Sequence, residues 1–529
     1  MTVAAARILR RPGTWRDGLR VGSLLRRRDT VAVVFLTVLG ASLRFGAIGR
    51  QGFWIDEAYT AQLVHLPLGK MLGLIPQTES TPPLYYSIAW VWTRLFGDTE
   101  AGLRSLSALV GVATVPVAYA AGRQLITPRA GVIAAALTAC SPFLIWYSQE
   151  ARSYELLVLL TSISLLAFAR ARVAPARKTL SVWAIVSALA LTTHYYALLA
   201  VLPQAVWLLA LYSRQRRVQV AAATIGLCGL ALLPLAISQA ETTNAAWIGQ
   251  LPLGLRLGQL IQFLVSFQAP VHTLIKWIAV ATVIVGLLLL TLRSDFGERR
   301  GALVAGGLAL GGFLLSMLMV TVGIDNLISR NLLALWVPAA LVLAAGLGAR
   351  RAGLVGPVAA ALLCAAGIAV TLGVVADRKL ERPDWRAVAH LIGATPAPNV
   401  RVRAIVIERW GERLPLSLYL PGLRFWPHNR ATGITEVDTV SFAAPWVPAC
   451  WWGASCYLLG RGSLHAPLQH QSLTTPPGFH QVWRRRAFEF TITRLVSAAP
   501  ITLTPRMLLP TLAPKALHGD ALLIQYRAG

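Results

Sequence analysis

The chain has 529 residues, 56% of them hydrophobic and only 13% charged, with a mean hydropathy of +0.59. That balance excludes an ordinary soluble protein of this length and requires a polytopic membrane protein. The formal net charge of +27 does not indicate nucleic acid, because the basic residues are almost all Arg and fall in short clusters between apolar runs.

Residues 1–29 carry Arg7, Arg10, Arg11, Arg16, Arg20, Arg26, Arg27 and Arg28 ahead of a full-length apolar run. They read as a cytoplasmic basic segment leading into an uncleaved first helix. A helix needs about 20 apolar residues to cross a bilayer, and cytoplasmic loops concentrate Lys and Arg. Residues 30–48 therefore cross outward and deliver Phe53-Trp54-Ile55-Asp56-Glu57-Ala58-Tyr59-Thr60 to the outer face. Two adjacent carboxylates this close to hydrocarbon, flanked by aromatics, carry a desolvation cost that marks a functional site. The plain alternative is an acidic turn that caps the next helix.

The short apolar piece Pro83 to Phe96 decides the topology. If it crossed, the loops holding Arg123 and Arg129, then Arg170, Arg172, Arg177 and Lys178, then Arg214, Arg216 and Arg217 would all lie outside. Read instead as an interfacial helix, which Tyr85, Tyr86, Trp90 and Trp92 suit, it returns each of those loops to the inside. Spans follow near 103–122, 130–148, 154–170, 180–195, 197–213 and 220–239. A polar outer loop at 240–274 holds a second interfacial helix around Leu255 to Phe267, and spans near 275–292, 302–322, 331–349 and 354–375 bring the number to about eleven.

Residues 30–376 thus form the membrane domain, and from 377 to 529 the composition changes, with more Pro, Trp and Arg and no run long enough to span. Arg403-Ala404-Ile405-Val406-Ile407 reads as a buried strand, and Asp384 opens a capped helix. A small extracytoplasmic α/β domain is the natural reading. Cys140, Cys228 and Cys364 lie in apolar stretches as small buried hydrophobes, whereas Cys450 and Cys456 could close a small loop in an oxidising compartment.

Sorted by side, the unusual polar residues fall almost entirely outside. They include Asp56, Glu57, Tyr85, Tyr86, Arg104, Gln149, Glu150, Arg152, His194, Tyr195 and Arg330. One concave site at the outer boundary, open to a lipid-linked substrate, accounts for them. It offers a carboxylate base beside cationic groups, with no Ser or Cys nucleophile motif and no His pair at metal spacing. Deprotonation of a hydroxyl while arginines hold an anionic leaving group is what glycosyl transfer from a sugar phosphate needs. Arg152 with Glu150 as a surface ion pair, and Arg330 as a snorkelling anchor, are the bland alternatives.

Trp54-Ile55-Asp56-Glu57-Ala58-Tyr59-Thr60, Pro82-Pro83-Leu84-Tyr85-Tyr86, Leu103-Arg104, Ser141 through Tyr154, His194-Tyr195 and Ser329-Arg330-Asn331 resemble, in order, the bacterial GT-C glycosyltransferases. More narrowly they look like the predicted mannosyltransferase branch of family 39, related to protein O-mannosyltransferases and to the aminoarabinose transferase of lipid A. The resemblance implies inverting transfer from a polyprenyl-phosphate sugar to a glycan, lipid or protein hydroxyl on the non-cytoplasmic face of the plasma membrane. It implies Asp56 as general base with Glu57 in support, Arg152 and Arg330 on the donor phosphate with Arg104 as a further contributor, and Gln149, His194 and Tyr195 lining the pocket. The relatives carry an Asp after the third span where this chain has Glu150 and Glu155, of which Glu150 is favoured. No cofactor is expected, and a divalent-metal requirement is left open. A flippase of lipid-linked saccharides is the rival reading, but it calls for polar residues and broken helices at the membrane midplane.

Overall fold

The structure, a computed structural model, describes residues 27–242, 247–260, 273–377, 381–407, 413–427, 429–442, 475–487, 490–512 and 521–527. Helix α1 is Arg27–Phe45, and three short helices follow it: α2, Ile55–His65; α3, Leu68–Thr78; and α4, Leu84–Phe96. The 13 residues of α4 reach only about 20 Å, too short to cross, as the positions of the basic loops require.

The bundle continues through α5 (Glu100–Leu125), α6 (Pro128–Cys140), α7 (Pro142–Ser148), α8 (Tyr154–Ala171), α9 (Arg177–Thr193), α10 (Leu198–Leu211), α11 (Arg216–Ala231) and α12 (Leu233–Glu241). After α13 (Leu253–Leu260) it closes with α14 (Thr273–Leu292), α15 (Phe296–Thr321), α16 (Trp336–Leu347) and α17 (Val355–Ala376). Among the described residues, seven helices are long and apolar enough to cross a membrane, and the bent pair α6–α7 makes an eighth. The other predicted spans are helical too: α1 carries charges at both ends, α9 has 17 residues, and α10 is a shorter apolar helix with a one-turn lead-in. Residues 255–260 of the second predicted interfacial helix lie in a helix, Leu253–Leu260, and the rest of it lies outside the described residues.

The 55° bend between α6 and α7 follows from sequence. Pro142 disfavours helical backbone at Ser141, which sits at φ −65°, ψ 115° and caps the new helix by accepting from the Leu144 amide. The turn after α7 is thereby swung toward α2. Close packing at this corner depends on Gly111 in α5. A Cβ there would come within 2.3 Å of Ser148 Oγ, 2.8 Å of Glu155 Oε2 and 2.9 Å of Arg44 Nε.

The basic loops meet at one end of the bundle, where Arg129 donates to the Gly353 carbonyl and the Arg350 amide donates to Glu298 Oε1 at 3.1 Å. At the other end, α17 leads into α18 (Trp385–Ile392), capped by Asp384 accepting from the Ala387 amide at 3.0 Å. A six-stranded sheet follows, built from β1 (Val402–Ile407), β2 (Leu423–Phe425), β3 (Thr432–Phe442), β4 (His480–Ala487), β5 (Phe490–Leu503) and β6 (Ala521–Tyr526). Its order is β2-β6-β1-β3-β5-β4, with β1 and β3 parallel and every other pair antiparallel.

One face of the sheet packs on α18 and α19 (Arg413–Tyr419) through Trp385, Leu416, Ile405 and Phe490. The other face buries Trp426, Val437 and Leu508. The predicted Cys450–Cys456 loop lies outside the described residues.

Contacts from α18 and α19 seat this domain on the first loops of the membrane bundle. Tyr419 accepts from the Phe53 amide and donates to Glu100, both at 2.7 Å. Gln62 donates to Ser417 at 3.1 Å, and Arg386 pairs with Glu100 at 3.3 Å. The α/β domain therefore sits at the same end as the Asp56-Glu57 segment.

Candidate active site

Asp56 and Glu57 open α2, where a helix N-terminus favours negative charge. Successive helical residues point about 100° apart, so the two carboxylates part company. Glu57 turns inward and is 0% exposed: Oε1 accepts from Arg104 Nε at 2.7 Å and from the Ala151 amide at 2.8 Å, and Oε2 accepts from Arg104 Nη2 at 2.5 Å. Burial opposes its ionisation, but the charge and hydrogen bonds of Arg104 prevail and hold its carboxyl below the usual range. Arg104, 1% exposed, spends its remaining donors on the carbonyls of Ile48, Gln51 and Gly52 at 3.1, 2.7 and 2.8 Å.

Asp56 turns outward, its side chain 20% exposed, and pairs with Arg330 Nη1 at 2.9 Å. The Asp56 carbonyl accepts from Arg152 Nη1 at 3.1 Å, and the same nitrogen reaches Glu79 Oε2 at 2.8 Å. Glu79, between α3 and α4, also accepts from Tyr86 at 2.6 Å. Burial pushes its carboxyl upward, against the pull of Arg152 and Tyr86. Behind Arg330 stands a wall of rings: Tyr154 lies 5.7 Å from its guanidinium, His194 is 5.6 Å from Tyr154, and Tyr196 is 5.3 Å from His194. His194 Nδ1 accepts from the Tyr196 amide at 3.2 Å, which leaves the ring proton of the neutral form on Nε2.

Asp56, Arg152, Arg330 and His194, far apart in sequence, thus converge at one corner. An accessible carboxylate paired with one guanidinium, with a second guanidinium on its own backbone carbonyl, can take a proton and keep an anion beside it. Among the described residues, no group of three or more His, Cys, Asp or Glu side chains is placed to hold a metal ion.

Residues 80–238 match the family model for dolichyl-phosphate-mannose-protein mannosyltransferase. No curated protein shows a significant match. ArnT from Cupriavidus metallidurans in the apo state is similar in structure, with a TM-score of 0.56 at 12% identity over 88% of this chain and 98% of that one. The crystal structure of the same protein bound to undecaprenyl phosphate gives 0.55 at 13% over the same shares. The chain has the GT-C glycosyltransferase fold. The matched stretch includes Arg104, Gln149, Glu150, Arg152, His194 and Tyr195, whereas Asp56 and Arg330 flank it and are brought in by the GT-C bundle.

Several sequence expectations need correction. Glu57 has no open route to a substrate, and Arg104 has no spare donors for a phosphate; the two form a buried pair that fixes α2 against α5 and the turn before α8. The side-chain amide of Gln149 donates to the carbonyls of Leu43 and Arg44 at 3.3 and 3.1 Å, which seals the end of α1. Tyr195 donates to Gln239 at 2.7 Å, and Gln239 in turn donates to the carbonyls of Ile75 and Thr81 at 3.2 and 3.1 Å, so Tyr195 braces the Glu79 loop.

Glu150 is buried against Arg382 at 3.1 Å. Its carboxyl is pushed up to about 7, first by burial and with Arg382 pulling the other way. Sequence reasoning missed Glu79 and Arg382. The available signal for Glu79 was an acid in a short connection between two short apolar stretches, where an unpaired charge is costly.

Proposed function

We propose that this chain is a membrane glycosyltransferase that moves a sugar from a polyprenyl-phosphate donor to a hydroxyl acceptor at the end of the bundle that carries the α/β domain, with inversion at the anomeric carbon. The observation that carries the proposal is the partly open Asp56 carboxylate paired with Arg330, with Arg152 held beside it on the Asp56 backbone carbonyl and on Glu79.

In the proposed step Asp56 takes the proton of the acceptor hydroxyl as that oxygen bonds to the anomeric carbon. The bond from that carbon to the phosphate oxygen breaks on the opposite face, and its electron pair leaves with the polyprenyl phosphate. Arg330 and Arg152 carry the growing phosphate charge, and Tyr154 and His194 flank the sugar. General-base catalysis is worth about 10²–10⁴-fold, and each preorganised charge donor about 10²–10³-fold. We assign the site to the extracytoplasmic face of the plasma membrane, because the basic loops gather at the opposite end. The polar residues collect at one end of apolar spans, which favours this reading over a flippase.

The test is sugar transfer from polyprenyl-phosphate donors by lipid-reconstituted protein, native against Asp56→Asn. Loss of transfer with donor binding retained supports Asp56 as base. Undiminished transfer in the variant places the chemistry elsewhere.

A further inference from the structure

We propose that Arg382 is a positioning residue for this site: by pairing with Glu150 it ties the turn that carries Arg152 to the C-terminal domain, so that transfer requires that domain to be docked. The inference rests on the glycosyltransferase reading. It starts from a residue with every mark of a costly burial.

Arg382 lies between α17 and α18, and its side chain is 2% exposed. A buried guanidinium is tolerated only with charge and hydrogen bonds around it. Nη2 donates to Glu150 Oε2 at 3.1 Å and to the Trp146 carbonyl at 3.0 Å. Nη1 and the backbone amide both reach Gln51 Oε1, at 3.4 and 3.1 Å. The guanidinium also stacks 3.9 Å over the Trp146 ring. The residue therefore grips α7, the turn after it and the loop before α2 at once.

That turn is Gln149-Glu150-Ala151-Arg152, and its other anchors all come from the membrane bundle. Gln149 is tied to α1, the Ala151 amide to Glu57, and the Arg152 carbonyl accepts from Ser107 at 3.3 Å. Arg382 supplies the anchor from beyond α17. Residues on either side of it reinforce the tie to the bundle, with Glu381 on Arg50 at 2.9 Å and Arg386 of α18 on Glu100 at 3.3 Å. Glu150 keeps Oε1 buried with no hydrogen-bond partner, so the pair with Arg382 is its principal compensation. The charged and titratable groups that act on Glu150 are Arg382, Asp56 and Glu57 on α2, Arg330, and the phenols of Tyr85, Tyr147 and Tyr154.

The experiment uses the full reconstituted chain: native, Arg382→Gln, Arg382→Lys, Glu150→Gln and the Gln/Gln double variant. Transfer is followed against pH, and the buried-carboxyl infrared band, identified by its absence in E150Q, is titrated in parallel. Removing an opposite charge at this distance should move the Glu150 band midpoint up by about 1–3 pH units in R382Q. The acid limb of the transfer profile should move with it, and kcat should fall by about 10²-fold with a smaller change in donor KM. R382K should restore part of both, and the double variant should be no worse than E150Q.

A native chain that transfers nothing sinks the glycosyltransferase reading itself. With native transfer intact, an unmoved acid limb in R382Q, or additive losses in the double variant, overturns this proposal alone and leaves Arg382 as a structural anchor. If R382Q does not fold, E150Q decides: loss of the acid limb supports the proposal, and an unchanged limb overturns it.

Discussion

Glu57→Gln separates two roles that neighbouring carboxylates could share. Glu57 is 0% exposed and accepts two hydrogen bonds from Arg104, itself 1% exposed, and a third from the Ala151 amide. Glutamine keeps the volume but removes the charge and turns one acceptor into a donor facing Arg104. Removing one partner of a buried ion pair costs about 3–5 kcal/mol, because the other charge is left uncompensated. Against the marginal stability of folded proteins, that is enough to lower the temperature of half-inactivation sharply.

The assay is thermal inactivation of the detergent-solubilised chain, paired with transfer per folded molecule at low temperature. E57Q should be strongly heat-sensitive yet retain transfer within about tenfold of native at 4 °C, whereas D56N should melt as native and lose about 10²–10⁴-fold. An E57Q protein with native heat resistance and no transfer would place Glu57 at the chemical step and refute the structural assignment.

Arg152→Met and Arg330→Met should each lower transfer by about 10²–10³-fold while the response to acceptor concentration changes little, which steady-state kinetics at varied acceptor and saturating donor will show. Gly111→Val should abolish accumulation of folded protein, read by size-exclusion chromatography, because its side chain would meet Ser148, Glu155 and Arg44 at once. Because Glu150 binds its proton more tightly folded than unfolded, native stability should fall as pH rises from about 4.5 to about 7, and E150Q should flatten that slope in a thermal-inactivation series. Tyr195→Phe removes one hydrogen bond to Gln239 and should cost about 1 kcal/mol in stability with transfer close to native.

Spans and their order were legible because apolar length and Arg placement are local signals. The non-spanning α4 follows from the same short-range rules, whereas the bend at Pro142 interrupts a stretch, 130–148, that reads in the sequence as one continuous span. Asp56, Arg152 and Arg330 were legible as charges stranded at helix ends beside apolar runs. The phase of α2 was not, because it is set by Arg104, 47 residues away, and a rotation of one residue decides which carboxylate is buried. Arg382 was illegible for the same reason on a larger scale, since its partner Glu150 lies 232 residues earlier.

This difference in range has a chemical consequence. A base must keep its charge near the bilayer yet remain able to surrender its counter-ion when substrate arrives. In the proposed reaction Asp56 is suited to this, because its pair with Arg330 Nη1 sits at an edge where its side chain is 20% exposed, and the proposed donor phosphate would compete for that arginine without dismantling the fold. Glu57, bound by three hydrogen bonds in the dark interior, cannot yield Arg104 without releasing α2 and the Arg152 turn together. The same two residue types, one position apart, are thus divided into a replaceable pair at the surface and a permanent one beneath it, and the permanent pair keeps the replaceable one in register.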